Sequence, residues 1–353
     1  MDKTVVFAVA GSGKTYKIVE ELDPTRRFLI VTFTDANKDS LRSRIIQRFG
    51  HFPTNICLYT YFTFLHSFCY RPFLLNAKRT KGMTFRRPSG DEPNFRLDND
   101  RRFMTDGRWL YHNRLAKFLD QTGTVKSVIA RIEKYFDAFY IDEVQDFAGH
   151  DFNLLMALCK VQVKCKFVGD FYQHTYDTSR DGTINANLHA DYEAYKKRFS
   201  MAKMDLDFTS LVKSRRCSKS VCDFISEKIG IHIESHSGRL TEVGLTEDAT
   251  AVQALYESPK TVKLFLDEHY KYGCYSHNWG ASKGLDHYED VCVVLNPKTV
   301  EAWNKGELAR LKPATRNKLY VACSRARGNL TFVPESLLKA HKLAKAAQPG
   351  LPV

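Results

Sequence analysis

The stretch FAVAGSGKTYKI, Phe7–Ile18, decides how this chain is read. Three apolar residues, Val5 to Phe7, lead through Ala8 and Val9 to glycines at 11 and 13, then to Lys14, Thr15 and a helix-compatible segment. The order is strand, tight turn, helix. Such a turn strings backbone N–H groups around an anion at a helix start. Ala10, Gly11, Ser12, Gly13, Lys14 and Thr15 are then the residues that line a triphosphate. Lys14 reaches the outer phosphates and the Thr15 hydroxyl sits on Mg²⁺, so ATP and Mg²⁺ are the expected ligands. Ala8 stands where the usual pattern has glycine. The same stretch imitates a secretory leader, with Lys3, an apolar run and AVA, but the run falls short of the roughly 7–15 residues a leader needs.

Composition narrows the rest. The chain has 353 residues, of which 43% are hydrophobic, enough for a sizeable core and two lobes. No stretch approaches the apolar length of a membrane span. A formal net charge of +13 points to a polyanionic partner, nucleic acid ahead of an acidic membrane surface, because no basic amphipathic helix or lipidation signal stands out. Nine cysteines without C-x-x-C spacing read as reduced thiols of a cytoplasmic protein rather than as zinc ligands or disulfides.

Apolar, β-rich runs recur at Phe28–Phe33, Asn55–Phe62, Ala138–Glu143, Cys165–Asp170, Val291–Leu295 and Leu330–Val333. Helix-like periodic segments such as Asn37–Phe49 and Asp151–Cys159 lie between them, which implies an α/β fold with mostly parallel sheets. Such sheets present ligand loops at their carboxyl ends, where the charged tails TFTD, DEVQD and GD fall. From about Cys69 to Thr124 the strand pattern fails and basic residues mix with aromatics, as in an inserted subdomain. The expected division is 1–68 with 125–205 as a first lobe, 69–124 as the insertion and 206–353 as a second lobe. The Ala/Lys-rich end past Leu337 reads as a helix with a frayed tail.

Further chemistry sits at the strand ends. In YIDEVQD, Tyr140–Asp146, Asp142 can hold Mg²⁺ while Glu143 is placed to take a proton from water. Acidic residues also cap helix starts, the plainer alternative. FVGDFYQHTY, Phe167–Tyr176, puts Gln173 just past a strand, where an amide can bond both phosphate and water, although a polar loop residue would look the same. Downstream come KSRRCSKS (Lys213–Ser220), GASKGLDHYEDVCVV (Gly280–Val294) and NKLYVACSRARG (Asn317–Gly328). Their arginines suit phosphate oxygens, or a solvated face.

In this order and spacing the segments resemble the motor motifs of superfamily 1 DNA helicases of the UvrD/Rep family: AGSGKT, VTFTDANKDSLRSRI, TFLHSF, DEVQD, VGDFYQ, SRRCS, SKGLD and YVACSRAR. The resemblance implies two RecA-like motor lobes and an ATP-driven translocase or helicase on single-stranded nucleic acid, DNA ahead of RNA, moving 3′ to 5′. It assigns Lys14, Glu143, Gln173, Arg216 and Arg325 to catalysis, Thr15 and Asp142 to magnesium, and Asp286 to the neighbourhood of the ribose. Thr32, Phe33, Thr34, His66, Tyr176 and Lys283 fall in motifs used for single-strand contact or its coupling to ATP. Phe33 as a plain core residue is the competing reading, since it ends an apolar strand.

The chain also departs from that pattern. Relatives place a short helix with an adenine-reading glutamine before the loop, for which there is no room here, and Arg215 replaces the tyrosine that precedes the motif arginine. Weak discrimination among nucleoside triphosphates is therefore expected, with Arg215 able to stack on a purine. Thr178 stands where an aromatic commonly stacks on a base. Between Arg216 and Lys283 there is space for a motor lobe but not for the family's large accessory subdomain. A compact chain of this kind also suits an ATP-gated DNA sensor that recruits a nuclease or another effector. A phosphotransferase would leave the later arginine motifs unexplained.

Overall fold

The computed structural model describes residues 2–89, 94–175 and 181–342. The chain divides into two compact units. The first holds Met1–Phe7, Lys14–Phe171 and Tyr176–Phe208; the second holds Ala8–Gly13, Tyr172–Thr175 and Thr209–Val353.

Among the described residues eight strands build the first unit: β1 (Lys3–Phe7), β2 (Phe28–Thr32), β3 (Ile56–Thr60), β4 (Gly82–Thr84), β5 (Trp109–Tyr111), β6 (Ala138–Asp142), β7 (Lys164–Gly169) and β8 (Asp205–Asp207). Six form a parallel sheet in the order β3-β2-β6-β7-β1-β8. Every residue of β2 and β6 is buried, which explains their unbroken apolar runs: a parallel sheet covered on both faces has no polar side to alternate with. The helix Asp35–Phe49 starts at Thr34, whose hydroxyl accepts from the Asn37 N–H at 3.1 Å, and it stops at Gly50 in the left-handed region.

The region beyond Cys69 departs from the expected loss of strand structure. A π-helical turn, Phe64–Tyr70, runs into the helix Arg71–Lys78, and β4 then pairs in parallel with β5. Three residues per strand are too few for alternation to show in sequence. Part of the insertion's positive charge is tied down in ion pairs. Lys78 binds Asp100 at 2.7 Å, Arg101 binds Asp106 at 2.7 Å, and the buried Arg114 binds Asp181 at 2.8 Å.

In the second unit β9 (Lys213–Ser214) pairs with β10 (Glu234–Ser235). A five-stranded parallel sheet follows, from β11 (Val243–Leu245), β12 (Val262–Phe265), β13 (Ser276–Asn278), β14 (Val291–Leu295) and β15 (Leu330–Pro334), in the order β11-β15-β14-β12-β13. Along β14, Val291, Val293 and Leu295 enter one core with Trp279, Leu319 and Phe332, whereas Cys292 and Val294 enter another with Phe265 and Val333. That is the two-residue period of a strand with both faces covered. Glu335–His341 is a 3₁₀ helix, and the chain past Lys342, where most of the expected terminal helix falls, lies outside the described residues.

All nine cysteines are free thiols. Among the described residues no helix is long and apolar enough to cross a membrane. The parallel-sheet α/β architecture expected from the sequence is the one found.

Candidate active site

In the first unit the candidate residues gather at the carboxyl ends of neighbouring strands. Asp142 closes β6, 2% exposed, and its Oδ1 accepts from the Glu143 N–H at 3.0 Å. Glu143 holds φ +58°, a left-handed conformation that costs a residue with a side chain about 1–3 kcal/mol and concentrates at active sites. Gln145, fully buried, donates its amide N–H to Glu143 Oε2 and accepts the Asp170 N–H on Oε1 at 3.0 Å. It therefore ties the acidic pair after β6 to the end of β7. Gly169 completes the fit, since a Cβ there would lie 2.8 Å from Val144 Cγ1 and collide with the Gln145 side-chain oxygen. Lys14 and Thr15 open the helix Lys14–Glu20 and are half-buried, and Lys14 has no ion pair among the described residues.

The residues expected near a nucleic-acid strand are placed unevenly. Thr32 is 1% exposed and its hydroxyl is buried without a partner. Phe33 is half-buried and Thr34 is the exposed helix cap. His66 lies in the π-helical turn, stacked on Tyr70 at 6.0 Å, with a buried and unpartnered Nε2. Burial, helped by the Arg71 charge, lowers its pKa and keeps the ring neutral at pH 7. Tyr176 and Thr178 lie outside the described residues.

In the second unit the loop Ala8–Gly13 is held by three hydrogen bonds. Val9 N–H donates to Leu211 O at 3.0 Å, Ala10 N–H to Tyr320 Oη at 2.9 Å, and Arg215 N–H to Gly11 O at 2.9 Å. Gly11, at φ +70°, has no room for a side chain: a Cβ would stand 2.7 Å from both Arg216 Cβ and Ser214 Oγ. Ser12 Oγ is buried without a partner. Gln173 is 3% exposed, and Tyr172 before it lies under Arg316.

Arg216 and Arg325 share one carboxylate. Asp286 pairs with Arg216 Nη2 and with Arg325 Nη1, the latter at 3.4 Å; Arg216 also donates to Ser324 O at 3.0 Å, and Arg325 Nε to Val321 O at 3.2 Å. Arg325 is 2% exposed. Burial, with Arg216 beside it, pushes its guanidinium down to about 10, still charged at neutral pH. Arg215 is exposed and Lys283 half-buried. Sequence reasoning missed Gln145 and the sharing of Asp286. Gln145 was visible inside DEVQD, but its role depends on what faces it from β7.

The sequence model of the UvrD/REP helicase N-terminal domain matches residues 1–106. Residues 1–106 are thus similar to that helicase domain. Among solved structures it is similar to the Arterivirus nonstructural protein 10 helicase in complex with DNA, at 16% identity and a TM-score of 0.51, over 95% of this chain and 63% of that one. Another structure of that Arterivirus helicase matches at 15% identity and a TM-score of 0.47, over 95% of this chain and 62% of that one. The chain thus spans less than two thirds of the solved helicases it matches, and at such identity the likeness is one of fold. No curated protein matches it. The UvrD/REP resemblance read from the motifs agrees with the match over residues 1–106.

Proposed function

We propose that this UvrD/REP-like chain hydrolyses ATP and uses it to move along single-stranded DNA in the 3′ to 5′ direction. The observation that carries the reading is the pair Asp142–Glu143 at the end of β6, with Glu143 in a left-handed conformation and bonded by Gln145. A rigid carboxylate beside a buried one, in a sheet whose first strand leads into AGSGKT, is what water activation near a triphosphate requires.

The assigned roles follow the motifs. Ala10, Gly11, Ser12 and Gly13 cradle phosphates, Lys14 neutralises them, and Glu143 takes the proton from the attacking water. Gln173 senses the terminal phosphate, and Arg216 and Arg325 stabilise charge that grows as its bond breaks. Thr15 and Asp142 offer the oxygen donors that Mg²⁺ prefers. Among the described residues no cluster of three or more His, Cys, Asp or Glu could hold a metal. When bound, Mg²⁺ would neutralise phosphate charge. Asp286, which pairs with both arginines, is assigned to the nucleotide side of the second unit, and the exposed Arg215 to the base. Thr34, Phe33 and Lys283 are assigned to the strand; Thr32 and His66, with their buried polar atoms, to coupling.

The DNA in the solved Arterivirus complex supports a nucleic-acid substrate, as does the +13 charge. Polarity is tested by displacement of streptavidin from biotin placed at either end of an oligodeoxynucleotide. ATP-dependent release from the 5′ end alone is expected. Release from the 3′ end would reverse the direction, and no release from either end would remove translocation.

A further inference from the structure

Four aromatic rings form a chain within the first unit, and of these the motifs account for Phe33 alone. Phe33, just past β2, packs on Phe62 with centroids 6.2 Å apart. Phe62 meets Phe85 edge-on at 5.3 Å and His112 at 5.4 Å, and Phe85 lies 4.9 Å from His112. The insertion's topology brings the last two together. Thr84 and Tyr111 are paired at the ends of β4 and β5, so the next residue of each strand, Phe85 and His112, leaves at the same end. His112 Nδ1 sits 3.3 Å from Thr84 O.

Phe33, Phe62 and His112 are half-buried, but Phe85 is 63% exposed. At that exposure Phe85 leaves an aromatic face open to a ligand at the outer end of the cluster. The charges around it say what kind. Arg86 is braced by Tyr111 Oη at 2.7 Å and Ser89 Oγ at 3.2 Å. Arg87 beside it is exposed and has no ion pair among the described residues, whereas Lys78 and Arg101 of the same insertion are spent on Asp100 and Asp106. Burial, with the Arg87 charge nearby, lowers the His112 pKa and keeps its imidazole neutral. Uncharged ring faces flanked by an unspent cation suit unpaired nucleotides, whose bases stack and whose phosphates need a counter-charge.

We propose that the insertion extends the strand-binding surface of the first unit: Phe85, backed by His112 and joined through Phe62 to Phe33, stacks an unpaired base, and Arg87 holds the adjoining phosphate. The inference rests on the single-strand reading of the proposed function and adds residues that no motif assigns. It also offers a stacking platform in a chain whose motif has Thr178 in place of an aromatic.

The test is fluorescence anisotropy with a labelled oligothymidylate of roughly 12 nucleotides, within the usual single-strand site size, across a salt series. Phe85→Ala should weaken binding by roughly 5- to 150-fold, and Phe85→Trp should restore it. Because Phe85 is exposed, the melting temperature should not move. On an abasic strand of equal length the wild type and Phe85→Ala should bind alike, since no base remains to stack. A matching loss on oligouridylate is expected, because stacking does not read the sugar. Arg87→Gln should lower the slope of log affinity against log salt by about one, whereas Phe85→Ala should leave it unchanged. Equal oligothymidylate binding by the wild type and Phe85→Ala would overturn the proposal, as would a difference that persists on the abasic strand. Failure of the wild type to bind any strand would instead sink the single-strand reading.

Discussion

At the scale of single residues, Glu143 and Arg325 carry the chemical account. Glu143→Gln keeps the size and hydrogen bonding of the side chain but removes the base, so kcat should fall by about 10²–10⁴-fold with ATP binding retained. Gln145→Ala should cost less, since it frees Glu143 without removing it. Arg325 is buried and donates along two directions, to Val321 O from Nε and to Leu285 O and Asp286 from Nη1. Lysine has no planar fork, so Arg325→Lys should also lose turnover although the charge is kept. Steady-state kinetics with a separate nucleotide-binding assay checks all three variants. Lys14, Asp142, Glu143, Arg216 and Arg325 are singled out by the sequence because each sits at a fixed place in a short motif. The shared Asp286 carboxylate was not, because Arg216, Asp286 and Arg325 are far apart along the chain and no local pattern records their meeting.

At the scale of elements, two predictions concern how β6 is held. Gly169→Ala would push a methyl group into Val144 and Gln145. Overpacking of this kind costs about 1–3 kcal/mol, so the melting temperature should drop by several degrees, at about 2–4 °C per kcal/mol for a domain of this size. Just before β6, Asp137 accepts from the Arg27 backbone N–H at 2.8 Å and pairs with its guanidinium at 2.7 Å. These bonds hold the Asp137 carboxyl down at about 2, against an ordinary value of 3.8. A carboxyl depressed in the folded state stabilises above its unfolded pKa and loses that contribution as pH falls from about 4 toward 2. Urea midpoints measured across that interval should fall more steeply in the wild type than in Arg27→Gln. Strands such as β2, β6 and β14 were legible because burial on both faces gives continuous apolar runs. β4 and β5 were not, since a three-residue strand leaves no period to detect.

At the scale of the whole molecule, the two units share an α/β plan with a parallel sheet, and the family match covers the first 106 residues. The basic insertion, read from composition as a surplus of charge, proves to spend part of it in ion pairs, while Arg71, Arg79, Lys81 and Arg87 are exposed without an ion pair among the described residues and Phe85 and Trp109 are exposed rings. Net charge still predicts behaviour. A chain of +13 that grips phosphates should release a strand steeply as salt rises, with a linear log–log dependence. The most direct measurement of the central claim is the rate of ATP hydrolysis by this chain with and without oligothymidylate, for the wild type and Lys14→Ala. The account predicts hydrolysis that rises severalfold or more with the oligonucleotide and is abolished in Lys14→Ala. Hydrolysis indifferent to the oligonucleotide, or undiminished without Lys14, would contradict it.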